Sequence, residues 1–135
     1  MPINFKIRIM KRGIFLVGLF LTMVVSCKPQ TKEAKDITIE NLQVVLENED
    51  NVQLLDVRTP QEWAEGVIKD PIKIDITGDD FEGKVLEKLD KTKPVYIYCR
   101  SGGRSKKATE LLAEKGYEAY NVLGGYLEWI EKNKE

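Results

Sequence analysis

The stretch from Val95 to Ser105 limits the possible folds more than any other part of the chain. It reads Val-Tyr-Ile-Tyr-Cys-Arg-Ser-Gly-Gly-Arg-Ser, an unbroken apolar run after Pro94 that gives way at Cys99 to a glycine-rich loop and a helix-forming segment. An apolar run of this kind is typical of a parallel strand buried on both faces. The pattern predicts a strand, a loop and a helix start. Cys99 would then lie at the carboxyl end of a strand, where open α/β sheets bind their ligands.

The surroundings of Cys99 favour a thiolate, the reactive form of cysteine. Four basic residues follow it closely: Arg100, Arg104, Lys106 and Lys107. A helix that begins after the loop directs unsatisfied N–H groups towards the sulfur, and Gly102 and Gly103 allow successive amides to converge on one anion. The alternative is a cysteine that only packs, since free cysteine is among the most buried residue types. Paired glycines and arginines serve no purpose in packing, so we interpret Cys99 as a nucleophile.

Residues 1–26 differ from the rest of the chain in composition. Basic residues without an acid precede the apolar run Ile14–Val25, and a small residue and Cys27 follow it. This pattern predicts a signal peptide, because the apolar run is too short to span a bilayer comfortably; an uncleaved anchor is the alternative. Val24-Val25-Ser26-Cys27 resembles the lipobox of bacterial lipoproteins. The resemblance implies a lipid on Cys27 that would hold the protein on a bacterial membrane, facing the periplasm or the cell surface.

Removal of this segment would change the balance of charge and of cysteines. The full chain has 21 basic and 22 acidic residues, and loss of the four basic residues in 1–26 leaves 17 against 22, a net charge of about −5. This charge argues against nucleic acid as a partner, whereas the cations around Cys99 favour a small anion there.

With a lipid on Cys27, Cys99 would have no partner for an internal disulfide. The chain has no histidine, which excludes a Cys-His dyad and histidine-based metal sites, and we predict neither a metal nor a cofactor.

After the predicted signal peptide, segments with the apolar pattern of a strand alternate with segments with the apolar pattern of a helix. We interpret residues 27–36, which are polar and contain Pro29, as a lipidated N-terminus and tether, and residues 37–135 as one domain. Strands are predicted at Ile37–Ile39, Val52–Val57, Ile72–Ile76, from Val95 and at Tyr117–Leu123. Helices are predicted at about Glu40–Glu47, after Thr59, over a stripe of Phe81, Val85, Leu86 and Leu89, from the cysteine loop to Gly116, and from Gly124-Gly125. This order predicts an α/β fold with a mostly parallel sheet of about five strands and helices on both faces.

Three charged residues near the end of the second predicted strand share the sheet edge with Cys99: Asp56, Arg58 and Glu62. Thr59, Pro60 and Glu62 have the spacing of a helix start with a capping box. We favour a supporting role for the three charged residues over direct catalysis. They would pair with one another or brace the cysteine loop through Arg104.

The segment Cys99–Ser105 resembles the active-site loop of rhodanese-type sulfurtransferases, whose usual form is Cys-x-x-Gly-x-Arg/Thr-Ser. Two further segments agree with that family: Asp56-Val57-Arg58 with Glu62-Trp63 and Gly66, and Asn121-Val122-Leu123-Gly124-Gly125 with Trp129. The resemblance spans about Ile37 to Lys132 and implies the small three-layer rhodanese-like fold. Val67 stands where the family usually has a histidine, and Asp70-Pro71 replaces Gly-Ala. We expect these departures to alter the local loop without abolishing the chemistry.

The resemblance also implies a function. The Cys99 thiolate would take the outer sulfur of thiosulfate or a similar small anionic donor, carry it as a persulfide, and pass it to cyanide, a thiol or a protein acceptor. The donor-binding residues would be Arg100, Ser101, Gly102, Gly103, Arg104 and Ser105, although Arg104 could hold the loop instead. One alternative is a persulfide carrier or binding module for a dedicated protein partner. The other is a cysteine-dependent phosphatase or arsenate reductase, which commonly has a longer loop than the four residues between Cys99 and Arg104 here.

Overall fold

A computed structural model of the protein describes residue 28 and residues 30–134. The predicted signal peptide and the predicted lipid attachment site at Cys27 lie outside the described residues. Within the part of the chain that the structure describes, none of the helices has the length and apolar character needed to cross a bilayer.

Five strands and five helices alternate along the described chain. In chain order they are β1 (Lys35–Ile37), α1 (Ile39–Asn48), β2 (Gln53–Asp56), α2 (Pro60–Glu65), β3 (Ile72–Lys73), α3 (Phe81–Lys88), β4 (Val95–Tyr98), α4 (Gly103–Glu114), β5 (Ala119–Val122) and α5 (Gly125–Lys132). The strands form one sheet in the order β1-β5-β4-β2-β3, and every neighbouring pair is parallel. The predicted α/β fold with a parallel five-stranded sheet is therefore confirmed.

The central strand β4 is buried on both faces, as its unbroken apolar run predicts. Val95, Ile97 and Cys99 lie in one apolar cluster with residues of α3 and α4. Tyr96 and Tyr98 point to the opposite face, into a cluster with residues of α1 and α5. Because side chains alternate along a strand, one short element contributes to both halves of the core. Cys99 thus lies on the α3/α4 face.

The start of α2 follows its sequence signature. The Thr59 hydroxyl accepts a hydrogen bond from the Glu62 amide at 3.4 Å, and the Glu62 carboxylate accepts one from the Thr59 amide at 3.0 Å. Pro60 occupies the first turn, where its missing N–H leaves no bond unmade. The predicted capping box is confirmed, and it fixes the Glu62 side chain at the start of α2.

Three local predictions differ from the structure. The first strand spans Lys35–Ile37 and not the predicted Ile37–Ile39, because Lys35 and Asp36 already pair with β5. Helix α1 begins at Ile39, because Thr38 caps it by accepting a bond from the Asn41 amide. Strand β3 includes only Ile72–Lys73 of the predicted 72–76, because the Asp75 side chain accepts hydrogen bonds from the amide and hydroxyl of Thr77 and turns the chain.

The third difference concerns the buried stripe of α3. Phe81, Val85 and Leu89 are buried four residues apart, whereas the Leu86 residue is 57% exposed. Adjacent residues are separated by about 100° around a helix, so Leu86 lies beside the stripe and faces outwards. The prediction that Leu86 belongs to the core is wrong.

A pair of leucine truncations tests this packing. Leu112 of α4 is fully buried, so we expect Leu112→Ala to lower the free energy of unfolding by about 2–5 kcal/mol. Leu86→Ala removes the same atoms from an exposed position and should change it by less than about 0.5 kcal/mol. Urea denaturation measures both values. Equal losses in the two variants would contradict the described core.

Candidate active site

Cys99 is the first residue after β4, at the carboxyl edge of the sheet. The neighbouring strand β2 ends at the same level, since Asp56 lies opposite Tyr98 and the Val57 amide donates to the Tyr98 carbonyl at 3.1 Å. The residue is only 1% exposed, so its sulfur lies beneath the loop that follows. The predicted position of Cys99 at a strand end agrees with the structure, while its catalytic role stays a prediction.

Two hydrogen-bond donors lie against the Cys99 sulfur. The Gly102 amide nitrogen is 3.0 Å from Sγ, and the Ser105 hydroxyl oxygen is 3.4 Å from it. Gly102 has a φ of +114°, which few other residues adopt, so the position that brings its amide to the sulfur is one that favours glycine. Helix α4 begins at Gly103, so the amides of its first turn also lack partners within the helix. The arrangement suits a negative charge on sulfur.

The ionisation of Cys99 reflects two opposing effects. Burial of the thiol raises its pKa, because it disfavours the charged form. The Ser105 hydroxyl and the nearby amides of Ser105, Gly102 and Ser101 stabilise the thiolate and outweigh burial, so the pKa of Cys99 lies below its usual value. A lowered pKa increases the fraction of the thiol present as thiolate, which is the reactive form of cysteine.

Arg104, whose side chain is 31% exposed, is held by a carboxylate. Its Nη1 and Nη2 donate to the two carboxylate oxygens of Glu62 at 2.8 and 2.7 Å. Glu62 is fixed in turn by the amide and the hydroxyl of Thr59. The bond from Arg104, followed by the smaller effects of the bonds from Thr59, lowers the pKa of Glu62 to about 2. This two-point contact is the bracing arrangement predicted for Glu62, and it spans 42 residues of sequence.

A buried ion pair between Asp56 and Arg58 supports the same region. The Arg58 guanidinium donates to Asp56 at 2.7 Å, and both residues are fully buried. It also donates to the backbone carbonyls of Gly66 at 2.7 Å and Glu62 at 3.2 Å. The Tyr126 ring lies 4.2 Å from the guanidinium carbon, a cation–π contact. Arg58 therefore joins the end of β2, the end of α2 and α5.

The loop from Gly66 to Ile68, where Val67 replaces the family's usual histidine, is held by two side chains that bind its backbone. The Ile68 amide donates to the Tyr98 hydroxyl at 3.0 Å, and the Gly66 carbonyl is bound by Arg58 as described above. Val67, which stands at the histidine's position, is half-buried between these two anchors. The conformation of this loop thus rests on Arg58 and Tyr98.

The start of α5 holds the backbone of the cysteine loop. The Tyr126 amide donates to the Cys99 carbonyl at 2.9 Å, and the Leu127 amide donates to the Arg100 carbonyl at 3.1 Å. A Cβ atom on Gly125 would lie 2.6 Å from the Cys99 carbonyl oxygen, so only glycine allows this approach. The sequence indicates a helix start at Gly124-Gly125, but the contact with the cysteine loop was not anticipated.

The predicted donor-binding residues do not all lie together. Gly102 and Ser105 contact the sulfur, while Arg104 is engaged by Glu62. The Arg100 side chain is 49% exposed, with Glu65 at 3.8 Å. Ser101 is exposed, and among the described residues no atom outside the adjoining backbone lies within 4 Å of a Cβ built on Gly103, so the space beside the loop is open. Among the described residues no group of three acidic or cysteine side chains is placed to bind a metal.

Asn121, which the sequence analysis names only as part of a family segment and gives no role, contacts the site. Its Oδ1 lies 2.6 Å from the Ser105 hydroxyl, and the Asn121 residue is 3% exposed. Its position is fixed by β5, because Asn121 lies opposite Ile97 in the register with β4. The sequence offers two signals for it, namely its place in the family segment and its polar side chain within a short apolar strand. Asn121 therefore extends the hydrogen-bond network of Cys99 to a second strand.

Comparison with known proteins agrees with this geometry. The family described as "Rhodanese-like domain" matches residues 39–132. The "Putative sulfurtransferase YtwF" of Bacillus subtilis (strain 168) is 37% identical over 102 residues, 76% of this chain and 96% of the relative. A protein named "Sulfurtransferase" from Allochromatium vinosum is 35% identical over 95 residues, 70% of this chain and 86% of the relative. The crystal structure of a rhodanese-like domain protein from Staphylococcus aureus has a TM-score of 0.64 at 37% identity, over 70% of this chain and 90% of that one.

The contact between Glu62 and Arg104 predicts a pH-dependent stability. Glu62→Gln removes the charged partner and should lower the free energy of unfolding at pH 7 by about 1–3 kcal/mol. Because the pKa of Glu62 is depressed to about 2 in the folded protein, its contribution is present above the unfolded pKa and declines as pH falls from about 4.5 to 2. The difference from wild type should shrink over the same range. Denaturation curves at several pH values measure it.

Glu65→Gln provides the matched control on the same helix. The Glu65 side chain is 62% exposed and lies 3.8 Å from Arg100, so its loss should leave the free energy of unfolding nearly unchanged at every pH. If Glu65→Gln and Glu62→Gln gave equal losses, the bracing contact would not carry the effect.

Proposed function

The chain belongs to the rhodanese-like domain family, and from this premise we propose that it is a sulfurtransferase that carries sulfur as a persulfide on Cys99. One observation carries the proposal: a buried thiol at a strand end, with the Gly102 amide 3.0 Å from its sulfur. A thiolate is the nucleophile, and a persulfide anion needs N–H donors around its terminal sulfur. The open space beside Gly103 leaves room for a small donor.

The loading step conserves atoms and charge. The Cys99 thiolate attacks the outer sulfur of thiosulfate, a sulfur–sulfur bond to Sγ forms, and the sulfur–sulfur bond of thiosulfate breaks. Sulfite leaves with the electron pair, and the negative charge moves to the terminal sulfur of the persulfide. The amides at the start of α4 stabilise that charge because they have no partner within the helix.

The discharge step returns the enzyme to its thiolate form. Cyanide or another thiophilic acceptor attacks the terminal sulfur, and the bond to Sγ breaks with its electron pair left on Cys99. Thiocyanate leaves when cyanide is the acceptor. Neither step transfers a proton in its net balance, which is consistent with a site that has no histidine.

The arginines have separate roles in this proposal. Arg100 lies at the exposed edge of the loop and attracts the anionic donor, since its side chain is half exposed. Arg104 supports the loop, because both of its terminal nitrogens are bound to Glu62. This engagement also argues against a cysteine-dependent phosphatase, in which an arginine must close on the oxyanion. A loop with four residues between Cys99 and Arg104 suits a single sulfur atom.

Sulfur loading tests the proposal. After incubation of the full chain with thiosulfate, we expect an intact mass increase of one sulfur atom, followed by thiocyanate formation when cyanide is added. Cys99→Ala should lose both signals, and Cys27→Ser should keep both. Sulfur that loads but moves only to a protein acceptor would favour a carrier. Absence of loading on Cys99 would contradict the sulfurtransferase proposal for this donor class.

Arg100→Ala separates donor binding from chemistry. Loss of an exposed charge at the site should raise the KM for thiosulfate by about threefold to tenfold and leave kcat nearly unchanged. Lys107→Ala, which removes an exposed cation further along α4, is the control and should change KM less. A fall in kcat with unchanged KM in Arg100→Ala would contradict the assigned role.

We also propose that Cys27 carries the lipid that its lipobox-like context implies. In a bacterial host, the full chain should incorporate labelled fatty acid and sediment with membranes, and Cys27→Ser should do neither. Acyl chains bind a protein to a bilayer by burying methylene groups, so loss of the acceptor sulfur should release it. An unlabelled wild-type chain, or a labelled Cys27→Ser variant, would contradict lipidation at this residue.

A further inference from the structure

The Ser105 hydroxyl lies among three hydrogen-bond acceptors. Its oxygen is 2.6 Å from Asn121 Oδ1, 3.1 Å from the Gly102 carbonyl oxygen and 3.4 Å from Cys99 Sγ. A hydroxyl has one proton to donate, so Ser105 satisfies only one of these acceptors well at any moment. The site therefore contains a competition for a single proton.

The Asn121 amide presents a fixed acceptor to this hydroxyl. Its Nδ2 donates to the Asp36 carboxylate at 3.3 Å, and Asp36 lies opposite Asn121 in the register of β1 with β5. A carboxylate only accepts hydrogen bonds, so the NH₂ end of the amide faces Asp36 and the oxygen faces Ser105. Because Asn121 is buried, leaving that oxygen without a donor is costly.

We propose that Asn121 is a positioning residue that competes with Cys99 for the proton of Ser105. When Cys99 is a neutral thiol, Ser105 donates to Asn121, and the thiol proton is free to face the Ser105 oxygen. When Cys99 is a thiolate, the charged sulfur is the stronger acceptor and the hydroxyl turns towards it. The hydroxyl thus follows the charge on Sγ, at the expense of the bond to Asn121.

The competition affects sulfur loading in one direction. In the persulfide the charge lies on the terminal sulfur, so Sγ no longer attracts the Ser105 proton and the bond to Asn121 is restored. Asn121 therefore stabilises the thiol and persulfide forms relative to the thiolate, and keeps the thiolate from becoming too stable to attack. The persulfide part of this inference rests on the proposed function, whereas the thiol and thiolate part does not.

Other charged groups near Cys99 are not themselves substituted in the Ser105 and Asn121 variants. They are Arg100 of the loop with Glu65 of α2, Arg104 of α4 with its partner Glu62 of α2, Asp75 near Arg104, Asp36 behind Asn121, the exposed Lys106 and Lys107 of α4, and the Asp56–Arg58 pair on the opposite face of the sheet. All of them except Asp36 keep the same partners in every variant, whereas Asp36 loses its bond from Asn121 in the Asn121 variants. The part of the Asn121 effect that disappears in the Ser105→Ala background therefore reports the proton of Ser105.

A double-mutant cycle tests the inference. Iodoacetamide alkylates Cys99 at a rate that follows the thiolate fraction. This rate is measured between pH 5 and 9 in the full chain, by mass spectrometry of the Cys99 peptide. Ser105→Ala should lower the rate at acidic pH by about tenfold, since a donor to the thiolate is lost. Asn121→Leu should raise it by about threefold to tenfold, because the hydroxyl is then free for the sulfur.

The decisive result is the combination of the two changes. In the Ser105→Ala background, Asn121→Leu should have no further effect on the rate. Asn121→Ala is measured in parallel, since it removes the acceptor without adding bulk, and near-ultraviolet circular dichroism establishes that each variant is folded. A slower rate in the Asn121 variants, or an effect of the same size without Ser105, would overturn the inference.

Measurement of sulfur loading on Cys99 distinguishes failure of this inference from failure of the proposed function. At a fixed ratio of thiosulfate to sulfite, Asn121→Leu should hold less persulfide than wild type, because its thiolate is more stable. Equal or greater loading would overturn the persulfide part. If no variant loads sulfur while the alkylation cycle behaves as expected, the proposed function fails and the competition for the proton stands.

Discussion

The buried ion pair between Arg58 and Asp56 holds the region around the cysteine together. One guanidinium contacts the end of β2, the end of α2, the Gly66 loop and the ring of Tyr126. A buried charge without its partner costs about 3–5 kcal/mol, so these elements are tied to one geometry. Arg58 thereby fixes α2, and with it the carboxylate that Arg104 requires.

The cysteine loop is supported from three directions that converge on backbone and sulfur. Glu62 of α2 binds Arg104, and Asn121 of β5 contacts Ser105. The first amides of α5 donate to the carbonyls of Cys99 and Arg100. Loop amides that are fixed in this way need little reorganisation when charge develops on sulfur, which is the condition for electrostatic stabilisation of an anion. The loop itself is short, and its rigidity comes from its neighbours.

Local patterns account for what the sequence could predict. The apolar run of β4, the glycine loop and the capping box of α2 each depend on residues within a few positions of one another, so the strand, the loop and the helix start could be placed. The choice between two roles for Arg104 could not be made, because its partner Glu62 lies 42 positions away. The role of Asn121 was missed since it depends on the register between β5 and its neighbours. The exposed Leu86 shows that a helical stripe does not by itself indicate how wide the buried face is.

The central claim is that the amides of the loop hold a persulfide on Cys99. A crystal structure of the protein treated with thiosulfate tests it most directly, because it locates the transferred atom. We predict an additional sulfur bonded to Cys99 Sγ, with its free end within hydrogen-bond distance of the amides at the start of α4 and with Arg104 still on Glu62. An unmodified Cys99, or an added sulfur that points away from those amides, would contradict the account.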